Sequence, residues 1–180
     1  MAAADFTALV ERIREVLTEG AAGTIRRCPS KGTFRWSTGR VDARELPPSA
    51  GDTPTVCVEF LEVRDGEGSP ANELADWWIV EVDLGIDVVY PFGGGNYLRP
   101  PSGGDRHSLT VRAANDLVLI RAALCTPNNL SDVDRGTTTG TETGLVSGLL
   151  EYRQSTPDWQ ETTLVVRHTF LARVQIEAPT

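Results

Sequence analysis

The chain has 180 residues, 40 % of them hydrophobic and 23 % charged, with a net charge of −8; that composition is ordinary for a globular protein and excludes wholesale disorder. The acidic balance, with no Lys/Arg-rich run, excludes a protein that grips duplex DNA through a basic patch. Lys31 is the one lysine, so nearly all positive charge is arginine.

Cys28, Cys57 and Cys125 are widely spaced and form no CxxC pair. With only two histidines beside them, they read as reduced, buried small hydrophobes rather than zinc ligands. No apolar run reaches the roughly 18 residues of a membrane span. The opening Met-Ala-Ala-Ala-Asp lacks the plan of a signal peptide, so synthesis in a cytoplasm is expected.

In chain order, Phe6, Leu9, Val10, Ile13, Val16 and Leu17 recur at helical spacing, with Glu11, Arg12, Arg14 and Glu15 opposite them. Asp5 is placed to cap that helix and Gly20 to end it. The pattern weakens from Ala21 to Pro54, where Thr33–Ser37 reads as a short strand. Thr55–Val63 alternates Val56, Val58 and Phe60 against Cys57 and Glu59, a strand by its period of two. Trp77–Tyr90 does the same, with Trp78, Val80, Val82, Leu84, Ile86, Val88 and Tyr90 on one face. Glu81, Asp83 and Asp87 fall on the other face and are expected to be exposed, and Gly85 between them predicts a bulge or bend.

Pro91–Asp105, rich in Gly and Pro, reads as a loop with His107 just beyond it. Leu109, Ala113, Leu117, Ile120 and Leu124 trace a second amphipathic helix, stopped by Pro127. Asn128–Gly144 is polar and reads as a loop. Leu145–Arg153 reads as a strand turned by Thr156-Pro157-Asp158 into a final strand, Leu164–Ile176. Residues 1–180 are thus expected to form a single α+β domain, with long loops at about 39–54, 91–105 and 128–144. Its sheet is mostly antiparallel, its two amphipathic helices cover one face, and a long β-hairpin closes the chain.

Candidate chemistry is sparse, and no catalytic residue, cofactor or metal ligand is expected. Glu81, Asp83 and Asp87 read as a solvated strand face rather than an acid/base or metal site. His168 reads as a hydrogen-bonded core or interface residue rather than a ligand, and His107 as a loop or cap residue. Gly93-Gly94-Gly95 leads into Asn96-Tyr97 and prolines instead of a helix N-terminus, so it fails as a phosphate loop. Trp77-Trp78 reads as packing at a strand start. The final strand carries the strongest signal. Its 13 residues of alternation would span roughly 40 Å at about 3.3 Å each, more than a small core needs, so its outer rim is expected to be completed by a sister copy.

Taken together, the helix FTALVERIREVL, the strand TPTVCVEFLEV, the strand WWIVEVDLGIDVVY, the Ala/Leu/Ile helix and the closing LVVRHTFLARVQIE resemble the tail terminator family of long-tailed bacteriophages and related gene transfer agents. The resemblance implies an α/β subunit of a hexameric ring that caps the tail tube and joins it to the head-side neck. It implies no catalysis and no cofactor. Expected partners are the chain itself, the tail tube protein and the connector or neck proteins, in a virion assembled in the host cytoplasm. DNA would pass through without specific binding, as six acidic copies would repel phosphate. Expected interface residues are the loop Gly136, Thr137, Thr138, Thr139, Gly140 and Thr141, with Arg167 and Arg173 on the last strand. The alternatives are another head–tail joining protein, a small ligand-binding α+β domain and, third, an enzyme.

Overall fold

The computed structural model describes residues 6–18, 34–39, 54–66, 77–91, 103–126, 130, 144–145, 150–160 and 163–177. The elements are α1 (Phe6–Thr18), β1 (Arg35–Trp36), β2 (Thr55–Asp65), β3 (Trp77–Pro91), α2 (Gly103–Leu124), β4 (Gly144–Leu145), β5 (Glu151–Trp159) and β6 (Thr163–Glu177). Among the described residues the strand order is β1-β2-β3-β6, with β4 and β5 both paired to the far side of β6. Every pairing is antiparallel except β1 with β2. The fold is therefore α+β, with a mostly antiparallel sheet and a closing β5–β6 hairpin.

The period-two pattern decides the layers. Val82, Leu84, Ile86 and Val88 of β3, with Val166, Phe170 and Ala172 of β6, are buried on one face. Leu9, Ile13, Val16 and Leu17 of α1, and Ile120 and Leu124 of α2, join them in a single core. Fully burying each such side chain stabilises by about 1.5–3 kcal/mol, so the two helical stripes and the sheet hold each other. The outward side of α1 is laced by Arg12–Glu15 and Arg14–Glu11 ion pairs, an arrangement that helix spacing permits. The proposed caps Asp5 and Gly20 lie outside the described residues.

Four expectations are corrected. The final strand does not overshoot its domain: β3 pairs with it at every position from Trp77↔Glu177 to Pro91↔Thr163, so it is central rather than a rim. The hairpin turn is later than expected. Pro157 pairs with Val166 inside β5, and the Gln160 N–H donates to the Thr163 carbonyl at 2.9 Å. A proline is tolerated there because β5 is an edge strand whose outward N–H needs no partner. Helix α2 begins at Gly103, so 103–105 leave the expected loop and His107 lies inside the helix. Finally, the bulge is in β2, between Phe60 and Glu62, not at Gly85. Gly85 accommodates it instead: a Cβ there would stand 3.2 Å from Leu61 Cδ2 and 3.4 Å from Arg167 Nε.

Candidate functional site

The sheet face turned away from the helices is built from the alternate residues of β2, β3, β6 and β5, and it is charged. In its centre Arg167 Nε donates to Asp87 Oδ1 and Nη2 to Asp87 Oδ2, both at 2.7 Å, while Nη2 also reaches Glu59 Oε2 at 2.6 Å. The Asp87 bond, opposed by partial burial and aided by both negative charges, raises the guanidinium pKa above its ordinary value. Further along, Arg173 Nε donates to Glu81 Oε1 at 3.0 Å. Glu81 Oε2 accepts from Arg64 Nε at 3.2 Å, and Arg64 Nη1 donates to Asp83 Oδ2 at 2.7 Å.

This geometry alters the expected site. The ladder sets Asp87 opposite Arg167 and Glu81 opposite Arg173, which contributes a few tenths to about 1 kcal/mol per pair. Asp87 is only 3 % exposed, and Glu81 and Asp83 are half-buried, so the acidic face is not the open one expected. Arg167 and Arg173, expected at an interface, are engaged laterally within the sheet. The loop residues Gly136, Thr137, Thr138, Thr139, Gly140 and Thr141 lie outside the described residues. At one end of the charged face is a cleft of about 280 Å³ whose lining includes Asp87, Thr156, Asp158, Gln160, Val165 and Arg167.

Behind the sheet, two polar clusters tie elements together. The Tyr90 hydroxyl donates to Asp116 Oδ2 at 3.0 Å, joining β3 to α2. Burial raises the pKa of both groups. His168 Nδ1 lies 2.6 Å from Ser155 Oγ, which lies 2.8 Å from the Tyr152 hydroxyl. The imidazole is 1 % exposed, and its Nε2 has no hydrogen-bond partner. Burial lowers its pKa to about 4. Tyr152 in turn stacks edge-on against Phe170 and lies under the Arg121 guanidinium, 4.5 Å from its ring centre. His168 is thus a core residue, as its phase in the strand implied.

The open surface lies at the β2 edge. Among the described residues, β1 covers only Thr55 and Val56, leaving 58–65 with no strand on that side. Phe60, Leu61 and Val63 there are 45, 41 and 57 % exposed, although Phe6 of α1 meets Phe60 edge-on at 5.6 Å. The sequence carries one signal for this rim: Phe60-Leu61 breaks the alternation, as an inserted bulge residue does. A second exposed apolar surface, Val111 and Val118, lies on the outward side of α2. Among the described residues no group of three His, Cys, Asp or Glu side chains is placed to hold a metal, and no helix is long and apolar enough to cross a membrane.

No family model matches the chain, and no curated protein matches it. One similar solved structure, which carries no functional name, is 16 % identical, covers 98 % of this chain and 94 % of its own, and superposes with a TM-score of 0.38. A similarity that low adds nothing to the reading of function.

Proposed function

We propose that the chain is a virion structural protein of the tail terminator kind, a ring subunit that caps a tail tube and joins it to the head-side neck. The observation that supports this most is the β2 rim, where three large apolar side chains stand exposed beside a strand edge that, among the described residues, no strand covers past Val56. Exposed apolar surface next to free backbone groups marks a contact surface rather than a finished exterior. The exposed valines of α2 supply a second, different surface, and a subunit that both meets sister copies and joins them to other proteins needs more than one contact surface. In this reading the partners are sister copies, most simply six, together with the tube protein and the neck. DNA passes through the ring without specific contacts.

Light scattering and negative-stain microscopy of the purified protein, alone and with tail tube, test the reading. Rings are expected, and the pair Leu61→Lys and Val63→Lys should abolish their attachment to the tail tube or neck without lowering the melting temperature. A monomer under all conditions, with or without tube, would overturn the proposal. The cleft beside Asp158 favours one other reading, a small ligand-binding domain. That reading predicts a monomer whose melting temperature rises with a bound metabolite.

A further inference from the structure

The backbone of the β2 rim can be assigned residue by residue. The Arg35 N–H donates to the Pro54 carbonyl and the Ser37 N–H to that of Val56, each at 2.9 Å. Pro54 and Val56 therefore turn their peptide groups toward the β1 side. Since N–H and C=O of one strand residue point the same way and alternate along the chain, Val58 and Phe60 also turn outward. The bulge at Leu61 then resets the phase. The Gly66 N–H donates to the Ile79 carbonyl of β3 at 2.8 Å, so Glu62 and Arg64 face β3 while Val63 and Asp65 face outward. Val58, Phe60, Val63 and Asp65 thus present a row of donors and acceptors past the end of β1.

The side chains on this rim divide by face. By register Val58, Phe60 and Val63 share the helix side with Ile86, Leu84 and Val82. Glu59, Glu62 and Arg64 lie on the charged side. The one cation there is already spent, because Arg64 is held by Asp83 at 2.7 Å and Glu81 at 3.2 Å. Glu62 meets it only at 3.7 Å and is well exposed; Asp65, opposite Val80, lies at the end of the helix side and is exposed too. A strand arriving here meets Phe60 and Val63 on one of its faces and, on the other, Leu61 and the exposed Glu62 carboxylate, which shares its one nearby cation with Asp83 and Glu81.

We propose that the β2 rim binds, by strand addition, an extended segment of a partner protein in which basic and β-branched residues alternate. This rests on the rim being an association surface but specifies its occupant: a strand, from a basic protein, rather than a second copy of this acidic chain. Main-chain bonds to the four outward residues supply affinity, and the alternation supplies selectivity. The basic face of the incoming strand sits over Glu62, and its β-branched face lies beside Phe60 and Val63.

The test uses the full chain, isotopically labelled, titrated with a seven-residue Lys-Val alternating peptide and with its Glu-Val counterpart. Support would be saturable shifts at 58–65 with slowed amide exchange at Phe60 and Val63, given by the Lys-Val peptide only. Val63→Pro, which removes an outward donor and no β2–β3 bond, should abolish binding while leaving the circular dichroism unchanged. Glu62→Lys should weaken the Lys-Val peptide about fivefold, the scale of one cross-strand charge pair. The proposal is overturned by equal binding of both peptides, by shifts elsewhere on the sheet, by no binding, or by rim amides that are protected at high protein concentration without peptide, which assigns the rim to a second copy. Rings without peptide binding would remove the strand and leave the ring; peptide binding without rings would do the opposite.

Discussion

Replacing His168 by Asn should flatten the dependence of stability on pH between about 5 and 7. The imidazole is 1 % exposed, its Nε2 has no acceptor, and burial holds its pKa near 4 against 6.5 in an open chain. The folded pKa is the lower one, so well above pH 6.5 both states are neutral and nothing is lost. As pH falls from 6.5 the unfolded chain takes up a proton that the folded one refuses, and stability drops until about pH 4, below which the loss is constant. At 1.36 kcal/mol per unit, linkage gives a loss of about 0.2 kcal/mol at pH 7, about 2 at pH 5, and about 3 in full. Urea titrations of both proteins at pH 7 and pH 5 measure it. Asn costs stability at every pH through lost packing, but the wild type should lose about 2 kcal/mol more than the variant on acidification. Asp116, whose raised pKa acts with the opposite sign, is present in both proteins and cancels. Equal losses in the two proteins would refute the reasoning.

Arg167→Met should cost about 2–3 kcal/mol in chemical denaturation, because Asp87 stays buried without its cation; adding Asp87→Asn should recover most of that loss. Tyr90→Phe removes the buried hydrogen bond to the Asp116 carboxylate and should cost about 1–3 kcal/mol at pH 7, with a penalty that shrinks as acidification protonates the carboxyl, whose pKa burial raises, read from paired melting curves. Gly66→Val should lower the melting temperature, since even a Cβ there stands 2.6 Å from Ile79 Cγ2, whereas Gly39→Ala, with open space around it, should leave it unchanged.

The three long strands were legible because their apolar residues alternate over many positions, and α1 because its stripe is unbroken. What failed was local or topological. Pro157 looks like a turn residue in sequence, and only its place on an edge strand makes it acceptable inside β5. The first turns of α2, from Gly103, carry no apolar repeat to announce a helix. Asp87 was assigned to solvent by its type; its burial depends on Arg167, 80 residues away in sequence. Strand order decides which edge is open, and periodicity does not report strand order. The long final strand therefore lies at the centre of the sheet, while Phe60-Leu61 announces the β2 edge only as a break in phase.

The full-length pairing of β3 with β6 also sets how this molecule reaches its native state. The two strands that form the spine of the sheet are separated by about 70 residues, a loop that must be closed before any of its 15 ladder positions repays the lost chain entropy. Everything before β6 can be synthesised and still lack the strand against which β3 is completed. Until then Val80 to Val88 present an uncovered apolar edge to other nascent chains. Refolding should accordingly be slow and should lose yield as concentration rises, and a chain halted before Thr163 should depend on a chaperone to stay in solution.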